Sequence, residues 1–305
     1  MKIKIPDNHE SIYEDAVDVT KKLIRFNYWD RLDISDLDAW LDNFETNEDK
    51  YFASGILLSI IYRSSKSITT FGANIIQIKL PNILEKHNLY SIQCIESWEK
   101  DLKAGNKKQL PIRFSAIEGI DGKPGKSGSA IYRDICNKHF HSRLGVLYNE
   151  VSEKLEKDKD FKVLVLFDDI LGTGTQFRAY IDKFNLDSLG IKIIYFPFAA
   201  YQESIDSIHS DYENIIICPV EVLTSSESLF SENNLAFFNK FHSENTSEEL
   251  KKYYLNICER KNIKAKDIFG FGELALTYFF SNSVPNNNIA ALWYDSDTWT
   301  QLVGR

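Results

Sequence analysis

Residues 163–176 constrain the fold of this chain more than any other stretch. They read Val-Leu-Val-Leu-Phe-Asp-Asp-Ile-Leu-Gly-Thr-Gly-Thr-Gln: an apolar run, two adjacent acids, and a loop of glycine and threonine. A short uncharged run rich in valine and leucine is typical of a strand buried on both faces, as strands of parallel sheets are. Ligands of open parallel sheets bind beyond the carboxyl ends of the strands. The pattern therefore predicts that a buried parallel strand delivers Asp168 and Asp169 to a crevice.

The loop after the two acids is suited to bind an anion. Gly172 and Gly174 permit positive φ, so that successive backbone N–H groups can converge on phosphate oxygens, and the following helix adds the positive end of its dipole. Thr173 and Thr175 add hydroxyl donors. A sugar with hydroxyls on its ring and a phosphate at one end satisfies both acids and loop, and phosphoribosyl pyrophosphate is such a ligand. The structural alternative is a solvated Asp-Asp turn with Thr175 as the helix N-cap.

A second candidate anion site is the loop Gly122-Lys123-Pro124-Gly125-Lys126-Ser127-Gly128-Ser129. It follows a predicted strand and opens a predicted helix, where amides and a lysine can bind an anion. The loop is similar to a P-loop, but that motif requires glycine at position 120, which is Ile120. This difference argues against a nucleotide hydrolase. An exposed loop capped by Ser127 or Ser129 is the structural alternative.

Apolar spacing divides the chain into a helical first part and an alternating second part. The apolar spacing of residues 9–66 predicts helices, two of them at 35–44 and 49–63. The spacing also predicts a helix at 92–102, whereas residues 67–90 fit either strand or helix. The polar run at 103–109 is the predicted junction. We therefore expect an N-terminal helical domain over residues 1–108.

Beyond the junction, the pattern changes to strands that alternate with helices. The predicted strands are 111–118, 161–167, 191–198 and 213–223. The predicted helices are 129–140, 144–157, 175–185, 202–209 and a charged one at 243–262. This alternation predicts an α/β domain over residues 109–305, with a mainly parallel sheet flanked by helices.

Composition narrows the class of partners. The formal net charge of −8 argues against a broad basic face for nucleic acid. No apolar run approaches the ~20 residues of a membrane span, and the N-terminus lacks the apolar core of a signal peptide. Cys94, Cys136, Cys218 and Cys258 stand far apart, which indicates reduced thiols. We expect a cytoplasmic protein that contacts no membrane. Its charge does not indicate direct binding of nucleic acid, although a local basic groove remains compatible with it.

The acids and their loop resemble the motif of the type I phosphoribosyltransferase family, which implies a sheet of that type. By this resemblance, Asp168 and Asp169 would hold the ribose hydroxyls and contact Mg²⁺ indirectly, through the ribose or water. The implied 5′-phosphate loop comprises Ile170, Leu171, Gly172, Thr173, Gly174, Thr175 and Gln176. The implied pyrophosphate-binding residues are Lys126, Ser127, Gly128 and Ser129. At the end of this loop the family prefers a residue with a hydroxyl, and this chain has Gln176 there. If the loop is one residue shorter, Thr175 fills that position.

The C-terminal tail carries a second resemblance, which covers roughly residues 111–305. Its motifs are Gly270-Phe271-Gly272, an apolar stretch at 274–280, Pro285-Asn286-Asn287-Asn288, Trp293 and a final Leu302-Val303-Gly304-Arg305. They resemble a bacterial group of phosphoribosyltransferase-like proteins that look like components of conflict and antiphage systems, some of them retron-linked. That resemblance implies protein partners from a defence operon. The structural interpretation is a Pro-Asn-Asn turn between packed runs, with Trp293 in the core.

Two functions of different classes fit these observations. The first is an enzyme that breaks the bond between the anomeric carbon and pyrophosphate, with Mg²⁺ as cofactor. Its acceptor could be a base, a nucleotide, a nucleic acid end, water or a protein. The second is a sensor or effector subunit that binds a phosphoribosyl or nucleotide ligand without turnover and acts through protein partners.

Overall fold

The apolar run at 163–167 forms the middle of a parallel sheet in the computed structural model, which describes residues 2–117, 127–234 and 245–305. The strands are β1 (Ile61–Arg63), β2 (Ile112–Ala116), β3 (Val163–Leu171), β4 (Lys192–Tyr201), β5 (Ile215–Ile217), β6 (Glu221–Leu223) and β7 (Tyr278–Phe280). The sheet has the order β2-β3-β4-β5, each neighbour pairs in parallel, and β6 also pairs with β4. The predicted α/β class with a mainly parallel sheet is confirmed.

Helices make up most of the N-terminal region, and further helices flank the sheet. They are α1 (His9–Arg25), α2 (Ile34–Leu41), α3 (Asn47–Ser59), α4 (Ser65–Asn74), α5 (Leu80–Lys86), α6 (Ile95–Ala104), α7 (Ser127–His139), α8 (Val151–Lys157), α9 (Thr175–Lys183), α10 (Gln202–Asp211), α11 (Ser247–Arg260) and α12 (Ala290–Trp293). The expected helical N-terminal region is thus present. No helix within the three described ranges is both long enough and apolar enough to cross a membrane.

Several elements differ from the sequence-based expectation. The helix predicted at 49–63 ends at Ser59, and β1 follows it, because β1 finds a parallel partner in β7 far along the chain. The ambiguous stretch 67–90 is helical as far as Lys86, with a π-helical segment at Ile75–Lys79 between α4 and α5. The strand predicted at 213–223 is divided into β5 and β6, since Pro219 cannot donate to a ladder.

The described residues group into two compact units. One comprises Met1–Ser65 and Leu223–Arg305, and the other comprises Lys66–Val222. The second unit holds the parallel sheet, and one face of that sheet packs an apolar core against α8, α9 and α10. Independent folding of residues 1–108, as expected from the sequence, stays a prediction.

The C-terminal motifs of the first unit pack against one another. Gly270 has a φ of +77°, and a Cβ there would lie 2.1 Å from the Asn287 carbonyl oxygen, so only glycine fits. The Asn287 amide donates to the Phe271 carbonyl at 2.8 Å. Asn288 is fully buried, accepts from the Tyr278 N–H at 2.6 Å and donates to the Tyr278 carbonyl at 2.8 Å. These motifs therefore have a structural explanation in the turn that they stabilise.

Trp293, expected in the core, packs against it but is only partly buried. Its indole N–H donates to the Asn288 carbonyl at 3.2 Å, and the Arg305 guanidinium lies 4.9 Å from its ring centroid. Trp299 is the fully buried tryptophan of this tail, with 1% of its surface exposed, and its indole N–H donates to the Ala291 carbonyl at 3.1 Å.

Candidate ligand site at the carboxyl end of the parallel sheet

Asp168 and Asp169 lie where the connections that follow two neighbouring strands run to opposite sides of the sheet. The last pair between β2 and β3 is Ala116 with Phe167, so the acids begin where β2 ends. After β2 the chain returns to the far edge of β2, where Phe114 bridges Gly145 in parallel, whereas after β3 it continues to β4 on the other side. This divergence makes the carboxyl ends of β2 and β3 a topological switch point, where open α/β sheets form their ligand crevices.

The strand that carries the acids is longer than predicted. Its expected end was residue 167, but β3 pairs with β4 as far as Leu171, which lies opposite Ala200. The reason is that β4 stays apolar and extended to Tyr201 and offers a partner beyond the acids. Asp168 and Asp169 are therefore held by a paired backbone on the β4 side, and each has only 6% of its surface exposed.

The Asp168 carboxylate is fixed by two donors. The Tyr195 hydroxyl on β4 donates to Oδ2 at 3.1 Å, and the Asp169 backbone N–H donates to Oδ1 at 2.9 Å. Burial, and next the negative charge of Asp169, raise the pKa of Asp168 well above its usual range, and the two donors only partly offset this rise. Asp168 thus holds its proton more tightly than an exposed aspartate does.

Tyr195 was missed by the sequence analysis. It is fully buried, and its ring stacks on Phe177 of α9 with the centroids 4.5 Å apart. The available signal was a hydroxyl-bearing residue within the otherwise apolar run of β4, since a buried tyrosine hydroxyl requires a partner. The partner cannot be found without the register that places Tyr195 opposite Leu166.

The glycine-threonine loop joins β3 directly to α9, which begins at Thr175 as predicted. Gly174 adopts the left-handed conformation with a φ of +78°. The Thr173 and Thr175 hydroxyls lie 3.0 Å apart. The loop residues thus have the conformation and hydroxyl groups that the anion-site prediction requires.

A serine outside the motif orients this loop. The Ser204 hydroxyl on α10 donates to the Gly172 carbonyl at 2.5 Å. Because the C=O and N–H of a trans peptide point in opposite directions, this bond turns the Thr173 N–H away from α10. Sequence patterns gave no signal for Ser204, because its role depends on the packing of α10.

Arg178 brings a positive charge to the same loop. Its guanidinium donates to Asp211 on α10 at 2.8 Å and to the Ser207 hydroxyl at 2.7 Å. A Cβ added to Gly174 would lie 2.6 Å from the Arg178 Nη1 atom. The guanidinium therefore lies next to the loop, held in place by α10.

The second predicted loop meets the acids at its end. A Cβ on Gly128, at the start of α7, would lie 2.4 Å from the Ile117 carbonyl oxygen and 3.4 Å from the Asp168 Oδ1 atom. Gly128 is therefore packed against the ends of β2 and β3, beside Asp168, and Ser129 follows it on α7. Lys126 lies outside the described residues, as does the Ser127 side chain.

The two carboxylates at this site suit a Mg²⁺ ion whose other ligands are water and substrate oxygens. Within the described ranges, no group of three or more His, Cys, Asp or Glu side chains forms a metal cage. Mg²⁺ usually keeps several water molecules and binds substrate phosphates, so Asp168 and Asp169 could contact it through water or through the ribose. The residues thus fit a metal that arrives with a phosphorylated ligand.

This sheet, its switch-point acids and its loop belong to a phosphoribosyltransferase-like protein. The chain is a member of the PRTase-CE family, whose family model matches residues 37–305. The match confirms the resemblance to phosphoribosyltransferases. The resemblance noted in the sequence covered roughly residues 111–305, whereas the family model also includes most of the helical region. No curated protein and no solved structure matches the chain.

Proposed function

We propose that this protein binds phosphoribosyl pyrophosphate with Mg²⁺ and breaks the bond between the anomeric carbon and pyrophosphate. The observation that supports this most strongly is the convergence of three features at one switch point. Two buried carboxylates on β3 lie beside the end of β2, the glycine-threonine loop leads into α9, and the N-terminus of α7 packs beside Asp168. One ligand with an anion at each end and hydroxyls between them fits this arrangement.

In this proposal the acids bind the ribose. Vicinal hydroxyls donate to the Asp168 and Asp169 carboxylates, and charge-assisted hydrogen bonds of this kind are short and strong. The loop at 170–176 binds the 5′-phosphate through its amides, its hydroxyls and the dipole of α9. Gly128 and Ser129, together with Lys126 and Ser127, bind the pyrophosphate.

The bond that breaks joins the anomeric carbon to a pyrophosphate oxygen, and its electron pair leaves with the pyrophosphate. Positive charge then develops on the ribose ring, and the buried carboxylates stabilise it because few water molecules screen them. The acceptor, which could be a base, a nucleotide, a nucleic acid end, water or a protein, donates an electron pair and forms the new bond to the anomeric carbon. Mg²⁺, when bound, supplies positive charge to the departing pyrophosphate. Because the Tyr195 hydroxyl and the paired backbone of β3 hold Asp168, little reorganisation is needed at that step.

We also propose that the protein is a cytoplasmic component of a retron-like bacterial defence system. The support is the C-terminal signature at 270–305. In a host that carries the complete operon, loss of phage protection in a variant with both Asp168→Asn and Asp169→Asn would support this role, and full protection would contradict it.

The central test combines binding and turnover. Wild-type protein with Mg²⁺ and phosphoribosyl pyrophosphate should bind the ligand in calorimetry and release pyrophosphate in a coupled assay. The Asp168→Asn, Asp169→Asn variant should bind about 100-fold more weakly, because each charged hydrogen bond contributes about 1.5–3 kcal/mol. The matched control is Glu156→Gln with Asp160→Asn, which removes two charges from exposed positions in the same unit.

The possible outcomes separate the two classes of function. Binding with pyrophosphate release supports the enzyme, and binding without release in the presence of candidate acceptors indicates a sensor. Equal affinity in the wild type and the Asp168, Asp169 variant would refute the ribose role.

A further inference from the structure

Tyr195 connects two parts of the candidate site that are distant in sequence. Its hydroxyl contacts Asp168 on β3, and its ring stacks on Phe177, which lies in the first turn of the helix that the phosphate loop opens. The interplanar angle of 16° and the full burial of the ring leave this side chain little freedom. A movement of Tyr195 would therefore alter the acid and the start of α9 together.

The hydroxyl is not required for packing. A phenylalanine would preserve the stacked ring and fill nearly the same volume in this apolar core. Placing a hydroxyl here costs desolvation free energy unless it is hydrogen-bonded, and its partner is the carboxylate itself. The polar atom thus serves Asp168 rather than the core.

We propose that Tyr195 is a positioning residue that fixes the Asp168 carboxylate for the ribose of the ligand. This role rests on the proposed function. The hydroxyl donates to Oδ2, and the Asp169 N–H donates to Oδ1, so the carboxylate plane is defined from two sides. Both oxygens keep a lone pair for ligand hydroxyls.

The test uses Tyr195→Phe in the full chain. Its affinity for phosphoribosyl pyrophosphate with Mg²⁺ should fall about tenfold, which corresponds to one hydrogen bond to a charged group. The free energy of unfolding of the variant should fall by less than its binding free energy, because the ring and its stacking on Phe177 are kept. Carboxyl carbon NMR without any ligand should show a changed chemical shift for Asp168, because its Oδ2 atom loses a hydrogen-bond donor.

The matched control is Tyr180→Phe, which removes a hydroxyl from another fully buried tyrosine of the same unit. It should leave both the affinity and the Asp168 carboxyl shift unchanged. If Tyr195→Phe leaves the affinity unchanged, or lowers stability and affinity by the same factor, the residue is only structural and the proposal is overturned. A wild type that does not bind the ligand would instead overturn the proposed function, and the carboxyl shift without ligand would still show whether the Tyr195 hydroxyl acts on Asp168.

Discussion

Asp168 should make the folded protein less stable as the pH rises. Its side chain is buried next to Asp169, and both burial and that charge raise its pKa well above the usual range. The folded state therefore binds this proton more tightly than the unfolded chain does. The contribution of Asp168 is fully present below its unfolded pKa of about 3.9 and is lost as the pH rises through its folded pKa.

The Asp168→Asn variant isolates this effect. Asparagine has nearly the same shape, its oxygen can accept from the Asp169 N–H, and its amide can donate to a rotated Tyr195 hydroxyl. No buried polar group is left without a partner, whereas the like-charge pair disappears. The variant should therefore be as stable as the wild type near pH 4 and more stable at neutral pH, although it should bind the ligand more weakly.

The size of the effect follows from linkage. Between the unfolded and folded pKa values of one carboxyl, the free energy of unfolding changes by up to about 1.4 kcal/mol per pH unit. The stability difference between variant and wild type should grow at up to that slope and then level off above the folded pKa. Urea unfolding at intervals from pH 4.5 to 8 measures this difference, and Asp160→Asn is the exposed control.

A difference that does not change with pH would refute this reasoning, because it would mean that Asp168 has the same pKa in the folded and unfolded states. A variant that is less stable at every pH would show instead that the charged carboxylate holds the sheet end together. The predicted outcome, higher stability with weaker binding, is the trade-off expected of a functional site.

Three further predictions concern single contacts. Gly174→Ala should destabilise the protein by about 1–3 kcal/mol in thermal unfolding, because its φ is +78° and the new Cβ would meet Arg178; no loss would show that the loop relaxes freely. Asn288→Ala should lower the free energy of unfolding in urea by about 2–4 kcal/mol, since the Tyr278 N–H and C=O lose a buried partner. A loss below about 1 kcal/mol would contradict this prediction. Burial raises the pKa of Asp49, but the hydrogen bonds that Asp49 accepts, first of all from Arg260, outweigh burial and hold this pKa below its usual value. The Asp49 carboxylate therefore stabilises the fold above its unfolded pKa, and this stabilisation is lost as the pH falls through the folded pKa. Arg260→Gln should therefore reduce stability at pH 7 more than at pH 3, as acid titration of circular dichroism can show.

The local pattern was enough to predict the centre of the fold. The uncharged run before Asp168 has one stable environment, a strand covered on both faces, and the glycine-threonine loop fixes where α9 begins at Thr175. These features depend on neighbouring residues alone. For that reason the parallel sheet and the start of its phosphate loop could be expected without coordinates.

Features that depend on distant partners could not be predicted. The strand β1 exists because β7 lies beside it, and β3 extends past the acids because β4 does. Tyr195 and Ser204 have no motif, since their roles come from the register of β4 and the packing of α10. The neighbourhood of Gly128 and Asp168 joins two loops that the sequence separates, and only the family resemblance, not the local pattern, placed both loops at one ligand.

The most direct test of the central claim is an experimental structure of the protein with phosphoribosyl pyrophosphate and Mg²⁺. We expect the ribose hydroxyls within hydrogen-bonding distance of the Asp168 and Asp169 carboxylates, with the 5′-phosphate on the amides of residues 172–175. A ligand bound elsewhere, or one whose ribose does not contact either carboxylate, would contradict the account.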